Sequence, residues 1–319
     1  MQIGSEAVHT PVLLAEVIRF LGPRSEDELM IDATLGEGGH SNQFLSRFPG
    51  LKITGIDADR EILKIAGERL KGFGKRIDFY SGRSYDFFSE YAPERRPDTI
   101  LFDLGVSLFH YEKSGRGFSF RKDEPLDMRI NPENGQNAAD LVNGLCEKEL
   151  ADLLFYNAEE RFSRRIAKEI VRARQHSPVN SSGVLAEIVA RAVPPAYRNG
   201  PVHPATRTFQ ALRIAVNNEL SGLKDLLDVS LRVLKPGGRL GVITFHSLED
   251  RIVKFFFREK NRDCTCPPGA PICRCEGKRI ADILTKKGVA PGQEEITANP
   301  PSRSARLRVI EKVRDGDGQ

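Results

Sequence analysis

The sequence has no long apolar run and few cysteines. None of its 319 residues falls in a stretch of ~18 consecutive apolar residues, the length needed for a membrane-spanning helix. We therefore expect no membrane span and no membrane partner. The N-terminal residues lack the basic and apolar regions of a secretory signal peptide, which predicts a cytoplasmic protein. Four of the five cysteines cluster between residues 264 and 275, so a distributed disulfide framework is not expected.

Two phosphate-binding motifs are also missing. No segment matches the P-loop pattern G-x-x-x-x-G-K-[ST], and none matches the dinucleotide fingerprint G-x-G-x-x-G. The net charge is only +4, from 48 basic and 44 acidic residues, so any basic surface for nucleic acid must be local. A P-loop nucleotidase is therefore excluded, and an NAD-dependent oxidoreductase is disfavoured.

The chain is organised around a strand, a glycine turn and a helix. Residues 29–33 are an apolar run that predicts a buried strand, and glycines follow at positions 36, 38 and 39. A helix is expected from Ser41, which could serve as its N-cap. This order is typical of the crevice of a doubly wound α/β domain. Glycine adopts positive φ at low cost, and its missing side chain lets a ligand approach the backbone.

An acidic residue ends the next predicted strand, residues 51–57. Asp57 lies 19 positions after Gly38, and an acid at about this distance can accept hydrogen bonds from ribose hydroxyls. The alternative is that Asp57 only caps the helix that begins near Asp59. The glycine turn and the acid together favour a nucleoside crevice. A ligand with a ribose but no phosphate fits the glycine pattern best, and S-adenosylmethionine is the common one.

Further polar residues follow the later strands. Residues 99–103 form a predicted strand that ends in Asp103, so Asp32, Asp57 and Asp103 would line one sheet edge. The predicted strand 239–245 ends in His246, which would emerge beside Asp103 if the two strands are neighbours. Residues 84–91, rich in Phe and Tyr, are expected to form a loop. Two final strands, residues 280–284 and 305–310, are expected to pair antiparallel.

Between these strands the alternation breaks, which predicts a helical insertion. No strand-like run occurs from position 111 to about 203, whereas helical patterns cover residues 147–156, 160–174 and 183–193. We predict an α/β fold, a doubly wound Rossmann-like sheet with an inserted all-helical domain. The predicted boundaries are 1–110 and 206–319 for the sheet domain and 111–205 for the insertion.

Two segments could contact a polyanion. Residues 161–174 carry six basic residues against the single acid Glu169, and this face is either solvated or in contact with phosphates. A long helix is expected from about residue 203 to 227, with a buried stripe that includes Phe209 and Leu212. Arg207, Gln210, Arg213 and Asn217 share another of its faces, which favours a substrate-facing stripe.

The cysteine cluster leaves two alternatives. Its C-x-C…C-x-C pattern could hold a structural zinc through four thiolates, although the spacing is tighter than in common zinc fingers. The other alternative is a loop with reduced or redox-active thiols, and we assign no metal to the functional site. The pattern comprises Cys264, Cys266, Cys273 and Cys275.

Several motifs together resemble the bacterial 16S ribosomal RNA cytosine-N4 methyltransferases. They follow one another in order across nearly the whole chain: HTPVLL at 9–14, DATLGEGGH at 32–40, DLGVS at 103–107, RGFSF at 116–120, PLDMR at 125–129, HPATRTFQ at 203–210 and FHSLEDR at 245–251. The resemblance extends to Asn299, Pro300 and residues 302–308. It implies an enzyme that methylates the N4 amine of a cytosine in the decoding region, with S-adenosylmethionine as the methyl donor.

The resemblance also implies site residues. Asp57 would hold the ribose, and an aromatic position after the third strand would fall on Ser84 or Tyr85, which the alignment does not decide. The family usually has Asp-Leu-Gly-Val-Ser-Ser after the fourth strand, whereas here residues 108–110 are Leu-Phe-His. The implied cofactor contacts are Gly38, Gly39, His40, Asp57, Ser84 or Tyr85, Asp103 and His110.

The implied reaction needs a proton acceptor for the exocyclic amine. The usual amino-methyltransferase motif Asp/Asn-Pro-Pro-Tyr/Phe is absent, which also disfavours DNA as the substrate. Among Asp103, Ser107, His246 and a backbone carbonyl of residues 104–107, we select Asp103 and His246 as catalytic. Arg207, Gln210 and Arg213, with the basic insertion helix, would hold the RNA.

The expected partner is 16S rRNA or the small ribosomal subunit. The oligomeric state stays open, with a homodimer as one option. The alternative function is a non-catalytic RNA-binding or ribosome-assembly protein on a methyltransferase fold.

Overall fold

The computed structural model describes residues 10–91, 95–133, 135–264, 266 and 279–316. The chain forms two compact units, one of residues 1–105 with 223–319 and one of residues 106–222. The second boundary therefore lies after residue 222, whereas the sequence placed it before residue 206. The reason is that Phe209 and Leu212 are buried in the hydrophobic core of the second unit.

The first unit contains a seven-stranded sheet in the order β3-β2-β1-β4-β5-β7-β6. Strands β1 to β5 run parallel, whereas β7 pairs antiparallel with both β5 and β6. The predicted antiparallel pairing of the last two strands is thus confirmed. The strands are β1 (Leu29–Asp32), β2 (Lys52–Asp57), β3 (Ile77–Ser81), β4 (Thr99–Asp103), β5 (Arg239–Thr244), β6 (Ala281–Ile283) and β7 (Arg306–Lys312).

Helices connect these strands, and among the described residues none is long and apolar enough to cross a bilayer. The first unit begins with α1 (Leu14–Leu21), α2 (Gly39–Arg47), α3 (Arg60–Leu70) and α4 (Ser84–Glu90). The second unit holds α5 (Leu108–Glu112), α6 (Ala138–Gly144), α7 (Glu147–Ala158), α8 (Ser163–Arg174), α9 (Ser182–Ala192), α10 (Pro195–Arg198) and α11 (Thr206–Asn217). The first unit resumes with α12 (Leu223–Val233), α13 (Ser247–Lys260) and α14 (Gln293–Ala298).

Both faces of the sheet are covered, which explains the continuous apolar runs of its central strands. Met30 and Leu101 point to one core with Phe44 of α2 and Leu70 of α3. Their neighbours along the strands point to the opposite core, which α4, α12 and α13 complete. Because side chains alternate along a strand, each central strand supplies both cores. The chain winds outward from β1 in one direction and from β4 in the other, so the strand order reverses between them.

Three local predictions from the sequence were wrong. Residues 84–90 form helix α4 rather than a loop, because Phe88 is buried under the sheet and the neighbouring aromatic rings pack on one another. The predicted long helix from 203 to 227 is two helices, because Asn218 adopts the left-handed conformation that ends α11. Ser41 is not the N-cap of α2, since the helix already begins at Gly39.

The second unit is helical, as the sequence predicted. Among its described residues, the only β pairing is an isolated bridge between Pro125 and Ser181. Helix α7 packs against α8 and α11, and their apolar faces form one core. Asn217 at the end of α11 donates to the Met128 carbonyl oxygen and accepts from the Ile130 amide, both at 2.8 Å. These bonds fix the loop that carries Met128.

Candidate functional site

The glycine turn follows β1 at the point where the strand order reverses. Gly36 and Gly38 have φ of 54° and 76°, values that glycine adopts without strain. A Cβ at Gly38 would lie 2.9 Å from Leu70 Cδ1, so the turn also needs glycine for its packing on α3. Because the first amides of a helix have no intrahelical partner, the start of α2 at Gly39 offers donors to a ligand.

Asp57 contacts this turn directly. Its Oδ2 accepts a hydrogen bond from the Gly36 amide at 2.9 Å, and its Oδ1 accepts one from the Asp59 amide at 2.9 Å. The N-cap of α3 is Asp59, which accepts from the Glu61 amide, so Asp57 does not itself cap the helix as the alternative interpretation of the sequence held. The Asp57 side chain is half-buried, and its contact with the ribose stays a prediction.

Asp103 and His40 meet at the ends of β4 and α2. The Asp103 amide donates to Thr34 Oγ1 at 2.6 Å, which ties the end of β4 to the turn after β1. His40 Nε2 lies 3.6 Å from Asp103 Oδ2. Neither ring nitrogen of His40 has a hydrogen-bond partner among the described residues. Asp103 Oδ1 has none there either. The sequence thus named two residues that the fold places side by side.

Asp32, the third acid of the predicted rim, is buried beneath the turn. Its Oδ2 accepts a hydrogen bond from Ser41 Oγ at 2.6 Å, so Ser41 anchors α2 to β1 instead of capping the helix. Burial raises the pKa of Asp32 to about 6, although the Ser41 hydrogen bond and nearby His40 act in the opposite direction. With 1% of its surface exposed, Asp32 supports the turn from below and does not contact ligand at the rim.

Ser84 and Tyr85 begin α4 beside the same edge. Ser84 Oγ donates to the Ala33 carbonyl oxygen, directly after β1. Tyr85 is 44% exposed. The helix therefore brings Ser84 to the turn region. Of the two residues, only Tyr85 has an aromatic ring that could lie against a base. Which of them contacts the cofactor stays a prediction.

His246 caps helix α13. Its Nδ1 accepts from the Glu249 amide at 3.4 Å, and Glu249 Oε2 accepts from the Phe245 and His246 amides at 2.9 and 3.3 Å. His246 Nε2 also faces Glu249, 3.0 Å from Oε1. Strand β5 does neighbour β4, with Ile243 beside Asp103, as the sequence analysis required. His246 Nε2 makes no hydrogen bond to a described residue, so the choice between Asp103 and His246 as the proton acceptor stays a prediction.

The remaining predicted residues belong to the second unit. His110 is buried on α5, and its ring centroid lies 5.0 Å from that of Phe118. Arg207 Nη1 donates to the Glu159 carbonyl oxygen at 2.8 Å, which orients its half-exposed guanidinium at the end of α7. Gln210 is half-buried one helical turn further along α11.

The sequence suggested that Arg213 contacts a polyanion, but the guanidinium of Arg213 bonds to side chains of its own unit. Its guanidinium donates two hydrogen bonds to Glu219, at 2.9 and 2.8 Å, and a third to the Tyr111 hydroxyl at 2.8 Å. Both charged side chains are only 13% exposed. A guanidinium whose charge is neutralised inside its own unit is a poor phosphate ligand. We therefore assign Arg213 a structural role.

Helix α8 presents an exposed basic surface. Arg164, Arg165 and Lys168 lie on the helix, Arg161 lies two residues before its first residue, and all four are exposed. We call these four residues the basic α8 stripe. The opposite side of the helix, with Ile166 and Ile170, is buried in the core. Glu169, the single acid of the segment, lies off this stripe, 3.9 Å from Arg172.

The sheet order, the glycine turn and the acids at the strand ends define a Rossmann-like methyltransferase. The chain belongs to the MraW methylase family, whose model matches residues 6–313. This result confirms the resemblance, the fold class and the cofactor predicted from the sequence. S-adenosylmethionine is accordingly the methyl donor. Such a cofactor needs hydrogen-bonding groups, and buried polar atoms without a partner among the described residues lie at His40 and Asp103.

Several proteins called ribosomal RNA small subunit methyltransferase H match nearly the whole chain. A ribosomal RNA small subunit methyltransferase H from Treponema denticola is 56% identical over 309 residues, covering 97% of this chain and 98% of the relative. The protein of that name from Heliobacterium modesticaldum is 44% identical, and the match covers 96% of this chain and 99% of the relative. The one from Treponema pallidum is 43% identical, and the match covers 95% of this chain and 92% of the relative. A solved rRNA methylase from Streptococcus thermophilus is 12% identical at a TM-score of 0.38, covering 94% of this chain and 92% of that one, a likeness too low to carry an argument.

Proposed function

We propose that this protein transfers a methyl group from S-adenosylmethionine to the exocyclic N4 amine of a cytosine in the decoding region of 16S rRNA. The observation that carries the proposal is the direct contact between the glycine turn and Asp57, with Asp103 beside the same turn. The names of the relatives support small-subunit rRNA as the substrate. The resemblance of the motifs supports cytosine N4 as the position.

The chemistry requires alignment and a proton acceptor. The lone pair of the N4 amine is delocalised into the ring, so this nitrogen is a poor nucleophile and must be held in line with the methyl carbon. The bound cofactor supplies an electrophilic methyl group on a sulfonium. Asp103 is placed to accept a hydrogen bond from the amine and to take the proton as the new bond forms. The turn amides and Asp57 would hold the adenosyl moiety.

The basic α8 stripe and Arg207 would contact the RNA backbone. Exposed guanidinium and ammonium groups bind phosphates without sequence preference, so they would position the RNA and not select the base. Gln210 would add a neutral hydrogen-bonding group on α11. A paired cytosine would have to leave its stack to bring N4 to the cofactor, and an unpaired one would not.

The test is methyl transfer from labelled S-adenosylmethionine to small ribosomal subunits that lack the modification, in parallel with the naked rRNA, followed by mapping of the labelled base. We expect one labelled cytosine in the decoding region. Asp103→Ala should reduce turnover by at least 100-fold and leave the circular dichroism spectrum unchanged. Label at another base would contradict the position, and cofactor binding without product would favour the alternative, a non-catalytic RNA-binding or assembly protein.

A further inference from the structure

Three polar atoms at the end of β4 lack hydrogen-bond partners although they are buried. They are His40 Nδ1, His40 Nε2 and Asp103 Oδ1, and they have no partner among the described residues. A buried polar atom without a partner costs ~1–3 kcal/mol, so such a group in a native structure calls for an explanation. Here all three atoms belong to one pair of neighbouring side chains.

The pair is held by the fold on both sides. His40 is the second residue of α2 and only 6% exposed. Its helix is anchored to β1 by the bond between Ser41 and Asp32, and the Asp103 backbone is anchored by Thr34. His40 Nε2 and Asp103 Oδ2 are 3.6 Å apart, a few tenths of an ångström beyond a hydrogen bond. A small closure when a ligand binds would bring them into contact.

We propose that His40 is a positioning residue that donates a hydrogen bond from Nε2 to Oδ2 of Asp103 and so holds this carboxylate in the orientation that meets the N4 amine. The proposal rests on the proposed function and adds a residue to it. The resemblance assigned His40 to cofactor contact, whereas the geometry directs its ring at Asp103. His246 is the competing histidine, and Glu249 already faces both its ring nitrogens.

The step balances without any further reactant. The N4 lone pair forms the new C–N bond, the C–S bond breaks with its electron pair moving to sulfur, and one N4 proton passes to Asp103 Oδ2. Oδ2 is the oxygen that substrate can reach, because Oδ1 is buried while 24% of the side chain is exposed. A carboxylate oxygen has two lone pairs, one for the His40 donor and one for the proton.

The titratable groups around the pair have defined positions. Asp32 lies below, from β1, and interacts electrostatically with both His40 and Asp103. Glu37 lies on the turn between β1 and α2 and is half-exposed. Loss of the His40 donor should leave the Asp103 carboxylate poorly oriented and slow the proton transfer.

The experiment compares His40→Leu, which removes the donor, with His40→Gln, whose amide nitrogen can replace Nε2. We expect a single-turnover methyl-transfer rate at least tenfold lower for His40→Leu, and partial recovery of this rate in His40→Gln. Cofactor affinity measured by calorimetry should change less than threefold. His176→Leu, on an exposed histidine near the end of α8, is the matched control.

A second readout does not depend on catalysis. The ¹³C chemical shift of the Asp103 carboxyl, measured at one neutral pH with cofactor and without RNA, should change in His40→Leu and return toward the native value in His40→Gln. An unchanged Asp103 carboxyl shift would overturn the proposal, as would a cofactor affinity that falls more than tenfold at an unchanged rate. If the native protein labels no RNA at all, the proposed function fails, while the carboxyl shift still decides the His40–Asp103 contact.

Discussion

Buried charged residues carry much of the local order in this protein, and they differ in how they are satisfied. Asp32 keeps a raised pKa because burial outweighs its single hydroxyl donor, Ser41. Arg213 and Glu219 instead neutralise each other through two parallel hydrogen bonds. The same residue types therefore respond to mutation in different ways. In the first case the charge itself is unfavourable, whereas in the second case it is the loss of one partner that is unfavourable.

Asp32→Asn should change the pH dependence of stability. The folded state keeps the Asp32 proton up to about pH 6, whereas an unfolded carboxyl loses it near pH 4, so this group lowers the free energy of unfolding as pH rises from 4 to 6. Relative to the native protein, Asp32→Asn should gain about 3 kcal/mol between pH 4 and pH 7. Urea unfolding at several pH values measures the difference, with exposed Asp78→Asn as the control. A difference that does not vary with pH would contradict this prediction.

Arg213→Ala should destabilise the second unit by about 3–5 kcal/mol, because it leaves Glu219 charged and partly buried without its partner. The double variant Arg213→Ala, Glu219→Ala should lose less, since no unpaired charge remains. Chemical denaturation of both variants provides the comparison. If the single variant is fully stable but binds RNA weakly, Arg213 contacts phosphate after all, as the sequence first suggested.

At the scale of elements, one stripe of a helix can be buried in the core while another is exposed to solvent. Helix α8 places Ile166 and Ile170 in the core and the basic α8 stripe in solvent. Helix α11 is different, because Asn217 and Arg213 on its polar face bond to their own unit. A polar face recognised in a sequence is therefore not in itself a binding surface, since the tertiary neighbours of the helix decide which groups stay available.

The triple variant Arg164→Gln, Arg165→Gln, Lys168→Gln should weaken binding of 16S rRNA with little effect on stability. Each phosphate contact contributes about 0.7–0.9 to the slope of log affinity against log salt, so the slope should fall by about 2. Filter binding at several salt concentrations measures it. The control removes three exposed lysines from the first unit, Lys52, Lys64 and Lys75. Equal losses in both triple variants would mean that net charge, and not the basic α8 stripe, governs binding.

At the scale of the molecule, the sheet and the helical insertion are two separate compact units, which the chain connects at two points. Each unit has its own hydrophobic core. The proposed cofactor residues, which are the glycine turn, Asp57 and Asp103, all lie in the sheet unit, so cofactor binding should stabilise that unit directly. Ligand binding to the folded state alone stabilises it by mass action.

S-adenosylmethionine at 100 times its dissociation constant should stabilise the sheet unit by about 2.7 kcal/mol. Differential scanning calorimetry of the full chain measures the rise in its unfolding temperature. Asp57→Ala should abolish most of this rise, whereas Asp78→Ala, on an exposed position of β3, should preserve it. A full cofactor effect in Asp57→Ala would remove Asp57 from the site.

The sequence by itself determined the sheet, the crevice and the family. Glycines at fixed positions, acids at strand ends and apolar runs are local features, because backbone conformation and strand burial act over a few residues. Only the tertiary structure decided that Ser41 bonds to Asp32, that His246 faces Glu249 and that Arg213 pairs with Glu219. It also ended α11 at Asn218 and folded residues 84–90 into a helix. These outcomes depend on which side chains meet across the fold, and spacing along the chain carries no information about such meetings.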